Sequence, residues 1–153
     1  MGEDSRVEIL LVEDNPADAE LFKRLIGGRC NVTVASTGPE AFDRLFQRGK
    51  FQRTSKPHLV VVDINVPMLS GHEILNILKG NSGLRSIPAI VWSGSDDQKN
   101  IERAYEAGAC AFITKKSGLD EMETTVAAFA SFWCAEVLFP GLNRSRSVGN
   151  VDT

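Results

Sequence analysis

Cysteine is scarce in this sequence: Cys30, Cys110 and Cys134 are the only three in 153 residues, widely separated and without a CxxC pair. That spacing predicts neither a disulfide framework nor a zinc site, and it fits a reducing, cytoplasmic compartment. Long apolar runs are lacking too, each one ending well short of the ~20 residues a membrane-spanning helix needs. The start, Met1-Gly2-Glu3-Asp4-Ser5, is acidic where a secretory signal carries positive charge, and Arg6 stands where a myristoylation motif wants a hydroxyl residue. Neither sign of charge dominates: 17 Lys plus Arg face 20 Asp plus Glu, a formal net charge of -3, which argues against nucleic acid as a partner. The two histidines, His58 and His72, precede no nucleophile, so a Ser-His hydrolase is not expected and both read as structural.

What is present is an ordinary globular balance, 42% hydrophobic and 24% charged residues. A chain of this length buries roughly 68–70% of its unfolded surface, enough for one domain with a real core. Five short apolar runs rich in β-branched residues predict strands at 7–12, 31–35, 58–63, 89–93 and 110–114. Amphipathic stretches between them predict helices at 17–26, 39–47, 71–79, 97–107 and 119–137, with Asn15-Pro16 a natural start for the first. Leu59-Val60-Val61-Val62 and Ala89-Ile90-Val91-Trp92 are apolar on both faces, as in a parallel sheet covered by helices on each side. Strict alternation of strand and helix makes this a doubly wound α/β fold. Residues 49–57 read as an exposed loop, 7–137 as the domain, and 138–153 as an extension that is mobile after Pro140. The glycosylation-like triplets Asn31-Val32-Thr33 and Asn143-Arg144-Ser145 carry no weight in a cytoplasmic chain.

In an open α/β sheet, ligands bind beyond the carboxyl ends of the strands, so the strand tips are where chemistry is expected. The first strand ends in Glu13-Asp14, the third in Asp63, the fourth in Ser93, and the fifth is followed by Lys115. Carboxylates crowded on one rim stay ionised only beside a cation. An oxygen-only donor set favours Mg²⁺. Asp14 and Asp63 are the first-choice ligands, with Glu13 acting directly or through water and the backbone carbonyl of Asn65 completing the shell. Asp63 could then attack a phosphoryl donor to form an acyl phosphate, while Lys115 and Ser93 meet the phosphoryl oxygens.

Leu10-Leu11-Val12-Glu13-Asp14-Asn15, Val61-Val62-Asp63-Ile64-Asn65-Val66-Pro67, Met68-Leu69-Ser70-Gly71, Ile87-Pro88-Ala89-Ile90-Val91-Trp92-Ser93-Gly94, and Ala107-Gly108-Ala109 through Phe112-Ile113-Thr114-Lys115 together resemble the receiver domain of bacterial two-component response regulators. The resemblance spans 7–137 and implies a flavodoxin-like, CheY-like sheet of order 2-1-3-4-5. It implies that Asp63 is the phospho-acceptor, that Glu13 and Asp14 are the metal-binding pair, that Ser93 is the switch hydroxyl, that Lys115 binds phosphate and that Phe112 is the switch aromatic. The implied donor is a sensor histidine kinase. Lys116 stands where most receivers have proline, which leaves the isomer of the Lys115-Lys116 bond open. The long loop before His58 and the ending Ser131-Phe132-Trp133 with Leu138-Phe139-Pro140 are similar to the small stand-alone regulators of cyanobacterial and bacterial phytochromes, which would make the kinase light-sensing.

Two other functions compete. A small Mg²⁺-dependent phosphatase of the haloacid dehalogenase type also uses an aspartate nucleophile, but it wants a second aspartate two positions on, where this chain has Asn65. A degenerate receiver acting as a phosphorylation-independent binding module would not need the intact acidic pair, Asp63 and Lys115. The last helix carries Phe129, Phe132, Trp133, Val137, Leu138 and Phe139, more apolar bulk than one stripe against a sheet requires. Phe132, Trp133 and Phe139 are therefore candidates for a homodimer or kinase-docking surface. No DNA-binding segment is expected to follow, so output by protein contact, dimerisation or phosphoryl transfer to another carrier is expected.

Overall fold

A computed structural model describes residues 5–142 of the chain. The strands are β1 (Val7–Val12), β2 (Cys30–Ala35), β3 (Leu59–Val62), β4 (Ala89–Ser93) and β5 (Ala111–Thr114). The helices are α1 (Pro16–Ile26), α2 (Gly38–Leu45), α3 (Gly71–Gly80), α4 (Gln98–Glu106) and α5 (Leu119–Phe129). All four strand pairings are parallel and the order is β2-β1-β3-β4-β5, the arrangement expected from the sequence.

The two-faced apolar strands divide the interior into two cores. Leu10, Val12, Val60, Val62 and Val91 pack with Ile74, Leu75 and Leu78 of α3, Leu45 of α2 and Ala104 of α4. Ile9, Leu11, Val61, Ile90 and Trp92 pack on the other face with Phe22 and Ile26 of α1 and Met122, Val126 and Phe129 of α5. Burying each such aliphatic side chain stabilises the fold by about 1.5–3 kcal/mol before the loss of chain entropy is counted. Local sequence sets the helix starts. Thr37 accepts from Glu40 N at the head of α2, and Ser70 and Glu73 close a reciprocal capping box at the head of α3.

Four expectations need correction. The loop expected over 49–57 holds a short 3₁₀ turn, Gly49–Phe51, because Phe51 is buried under the Arg44 guanidinium, 4.1 Å from its ring centroid. The fifth helix does not run to residue 137: α5 ends at Phe129 and widens into a π-helical turn, Ala130–Cys134. The wider repeat lets the consecutive Trp133 and Cys134 both pack on the second core. Cys30 and Cys134 are disulfide-bonded with their Cα atoms 6.0 Å apart, although 104 residues separate them in sequence. Linear spacing could not show that pair; only Cys110 among the three is a free thiol. Finally, Phe139 is buried, its ring 5.9 Å from that of His58 and 6.2 Å from that of Trp133, so it is core rather than interface. Trp133 is half-buried, and Phe132 is 55% exposed.

The tail expected to be mobile after Pro140 lies, from residue 143, outside the described residues, as does the triplet at 143–145. Leu142 still packs against the second core, its N–H donating to Phe139 O at 3.3 Å. No helix among the described residues is long and apolar enough to cross a membrane.

Candidate functional site

Parallel pairing brings four strand tips to one rim, and the hydrogen-bond ladder continues one residue past three of them. Glu13 N donates to Ala35 O at 2.9 Å, Asp63 N to Val12 O at 3.0 Å, and Lys115 N to Ser93 O at 2.8 Å. Glu13, Asp63 and Lys115 are thus each held by a neighbouring strand just where their own strand ends. Beyond β1 the chain turns tightly into α1. Asn15 N donates to Glu13 Oε2 at 3.1 Å, and Asn15 Oδ1 accepts from Ala17 N and Asp18 N at 2.9 and 3.2 Å. Pro16 then opens the helix, where its missing N–H costs nothing.

Ligand oxygens of Glu13, Asp14 and Asp63 all lie within 4.8 Å of one another. Glu13 and Asp63 are buried, and Asp14 is exposed. The Lys115 ammonium sits among them at 2.8 Å from Glu13 Oε1, 2.8 Å from Asp18 Oδ2 and 3.2 Å from Asp63 Oδ2. The Trp92 ring lies on another side of the same ammonium, its centroid 4.9 Å away. Burial pushes the Glu13 carboxyl above its ordinary value, against the lowering pull of Lys115 and the Asn15 N–H. Burial alone would lower the Lys115 ammonium, but hydrogen bonds to Asp18 and Glu13 and the charge of Asp63 outweigh it and hold the group firmly protonated.

Three carboxylates, Glu13, Asp18 and Asp63, therefore share one ammonium, Asp14 adds a fourth negative charge beside them, and the surplus suits a divalent cation. The donors are all oxygen, and Glu13 Oε1 is buried with the Lys115 ammonium 2.8 Å away, so the residues fit a hard ion such as Mg²⁺. Asn65 lies in the exposed turn beside Asp63, its N–H 3.5 Å from Asp63 Oδ1.

Ser93 is fully buried, and its Oγ accepts from Ser95 N at 3.2 Å. Phe112 is half-buried, packed on the first core beside β4, where it pairs with Val91. No peptide bond among the described residues is cis, so the Lys115-Lys116 bond is trans. Sequence reasoning missed Asp18. The available signal was an acidic residue in the first turn of the helix that follows the Glu13-Asp14 pair.

The pattern of the response regulator receiver domain family matches residues 9–127 of the chain. The response regulator Rcp1 of Synechocystis sp. is 30% identical over 135 residues, covering 86% of this chain and 92% of that protein. The crystal structure of the phosphorylated cyanobacterial phytochrome response regulator RcpA superposes with a TM-score of 0.83 at 31% identity, covering 88% of this chain and 98% of that one. The crystal structure of Rcp1 in its Mn²⁺-bound form gives a TM-score of 0.83 at 29% identity, covering 88% and 99%.

Proposed function

Because the chain belongs to the response regulator receiver domain family, whose general function is phosphoryl acceptance on an aspartate with Mg²⁺, we propose that Asp63 is its phospho-acceptor and that a sensor histidine kinase is its donor. The observation that carries this reading is Lys115 Nζ held 3.2 Å from Asp63 Oδ2 beside the Glu13, Asp14 and Asp63 cluster. Glu13, Asp14 and Asp63, with the Asn65 carbonyl, would hold Mg²⁺. When bound, the ion neutralises charge on the transferring phosphoryl group.

The chain's own residues do the rest. An Asp63 carboxylate oxygen forms the new bond to phosphorus, and the electron pair of the broken bond leaves with the donor. Lys115, already desolvated and charged, stands ready for the phosphoryl oxygens without moving far. Ser93 keeps a hydroxyl proton to donate, since its Oγ uses only its acceptor side on Ser95 N. A Ser93 hydroxyl drawn to the phosphoryl group would change the space beside β4 into which Phe112 packs. That couples the rim to the surface formed by α4, β5 and α5.

The relatives with phytochrome in their names support a light-sensing kinase as the partner, and the family supports a cytoplasmic location. The receiver unit is taken as 7–137, with 138–153 as its extension. A homodimer or kinase-docking surface would centre on Phe132 and Leu138, 55% and 71% exposed; light scattering that finds only monomer across a concentration series would reject the dimer.

The primary test is incubation with Mg²⁺ and acetyl phosphate followed by intact-mass measurement. One phosphoryl group per wild-type chain and none on Asp63→Asn is the expected result. A wild type that never gains one overturns the reading. Sustained turnover of a chromogenic phosphate ester would favour the aspartate-nucleophile phosphatase instead.

A further inference from the structure

Of the three carboxylates that hold the Lys115 ammonium, Glu13 and Asp63 also belong to the acidic cluster, while Asp18 stands outside it. Any cation charge at that cluster competes with the ammonium for Glu13 and Asp63. Among the described residues, Asp18 is the one carboxylate partner left to the lysine alone.

Its place is built by several independent contacts. The Glu13 carboxylate takes the Asn15 N–H, Asn15 Oδ1 takes the Asp18 N–H, and Pro16 fixes the first turn of α1. An acid in a first helical turn is common, because the helix dipole favours negative charge there. That preference does not account for a 2.8 Å charge-assisted hydrogen bond to a lysine 97 residues away, just past the end of β5, which α1 does not adjoin in sequence. Lys115 has a long, rotamer-rich side chain, and fixing its head removes an entropy loss that would otherwise fall in the transition state.

We infer that Asp18 is a positioning residue that holds the Lys115 ammonium over Asp63, independently of the charge on the acidic cluster, and so sets the rate of phosphoryl uptake. It touches neither the phosphoryl group nor the attacking oxygen; it acts through Lys115. In the step it serves, one Asp63 oxygen bonds to the phosphorus of acetyl phosphate, the bridging P–O bond breaks, and acetate leaves with its electron pair. No proton is needed.

The inference rests on Asp63 being the acceptor, and the experiment separates the two. The full chain is given Mg²⁺ and acetyl phosphate, and phosphoryl uptake is followed by intact mass for wild type, Asp18→Asn, Asp18→Glu, Lys115→Ala and Asp18→Asn/Lys115→Ala, each with a thermal melt. Asp18→Asn is expected to slow uptake about tenfold, equivalent to about 1.4 kcal/mol in the barrier. Asp18→Glu is expected to recover most of that loss. In the Lys115→Ala background, Asp18→Asn should have no further effect, the signature of a residue that works only through that lysine. An Asp18→Asn variant at or above the wild-type rate, or an equal loss in both backgrounds, overturns the role of Asp18 while leaving Asp63 as acceptor. A wild type that takes up no phosphoryl group overturns both.

Discussion

Gly71 and Asp63 are in backbone contact across the turn that follows β3: a β-carbon added to Gly71 would lie 2.5 Å from the Asp63 carbonyl oxygen and 2.8 Å from Ile64 Cα. Gly71 N also donates to Ile64 O at 2.8 Å, so the head of α3 is fastened to the residue that follows Asp63. Only glycine permits that approach, because both obstructing groups are backbone and cannot swing away. Gly71→Ala is expected to destabilise the fold by about 1–3 kcal/mol through overpacking. Gly80, at the other end of α3, has nothing within 4 Å of its virtual β-carbon, so Gly80→Ala should stabilise by about 0.4–1 kcal/mol. Urea denaturation of both variants checks the contrast, and a Gly71→Ala protein as stable as wild type would refute the contact.

His72, the second residue of α3, is buried beside a hollow lined by Asn76, Arg103, Glu106 and Ala107. Burial, then the positive charge of Arg103, hold its imidazole below the ordinary 6.5, while the Asn100 side chain pulls the other way. In the unfolded chain His72 protonates near 6.5, so below that pH the unfolded state binds more protons than the folded one. This share of stability is therefore complete above 6.5 and is lost as pH falls through the lower folded value. Unfolding free energy measured from pH 8 to pH 5 should decline more steeply for wild type than for His72→Gln. Parallel curves would show that folding leaves the proton affinity of the imidazole unchanged.

The sheet was legible because its strands announce themselves: Leu59-Val60-Val61-Val62 has no polar face, and a single charge, Asp63, ends it. Glu13, Asp63, Ser93 and Lys115 were legible for the same reason, each being a polar residue at the tip of an apolar run. Asp18, Phe51 and the Cys30–Cys134 bridge were not. Asp18 is one of two acids on an amphipathic helix until β5 brings Lys115 across to it. Phe51 is a lone apolar residue among polar neighbours until Arg44 covers it. Phe139 read as surface because the chain's end carries more apolar bulk than one helical stripe needs, whereas α5 opens into a π turn and the chain folds back onto His58, which buries that ring. Each of these depends on contacts between residues far apart in sequence, which no local pattern encodes.

Trp92 offers a native reporter of the rim, since its buried ring sits 4.9 Å from the Lys115 ammonium. The chain has two tryptophans, so in a Trp133→Phe variant Trp92 emits alone. A cation that draws Glu13 and Asp63 away from Lys115 alters the charge over that ring, and Mg²⁺ titration should change its emission in a saturable way that EDTA reverses. Asp14→Asn removes one negative ligand and is expected to weaken the response about tenfold or more. EDTA should likewise abolish phosphoryl labelling. Emission that ignores Mg²⁺, together with labelling that survives EDTA, would remove the metal from the account.

The bridge between Cys30 and Cys134 joins the first residue of β2 to the last of the π turn, closing everything from β2 through that turn into one covalent loop and leaving β1 and α1 outside it. Cross-linking a span of about 100 residues restricts the unfolded chain by up to about 4.7 kcal/mol in the loop-entropy picture, and native bridges commonly deliver about 2–4. Reduction by excess dithiol, or Cys134→Ser in a Cys110→Ser background that prevents exchange, should lower unfolding stability by that amount in urea. Phosphoryl uptake should not follow it down. Cys30 lies at the start of β2, whereas the rim is built at the strand ends, where Ala35 O takes the Glu13 N–H. Oxidised wild type and the doubly substituted chain should thus differ in stability yet label Asp63 at equal rates. A labelling rate that fell with reduction would mean that the π turn reaches the rim through α5, and that stability and switching in this chain are coupled rather than separate.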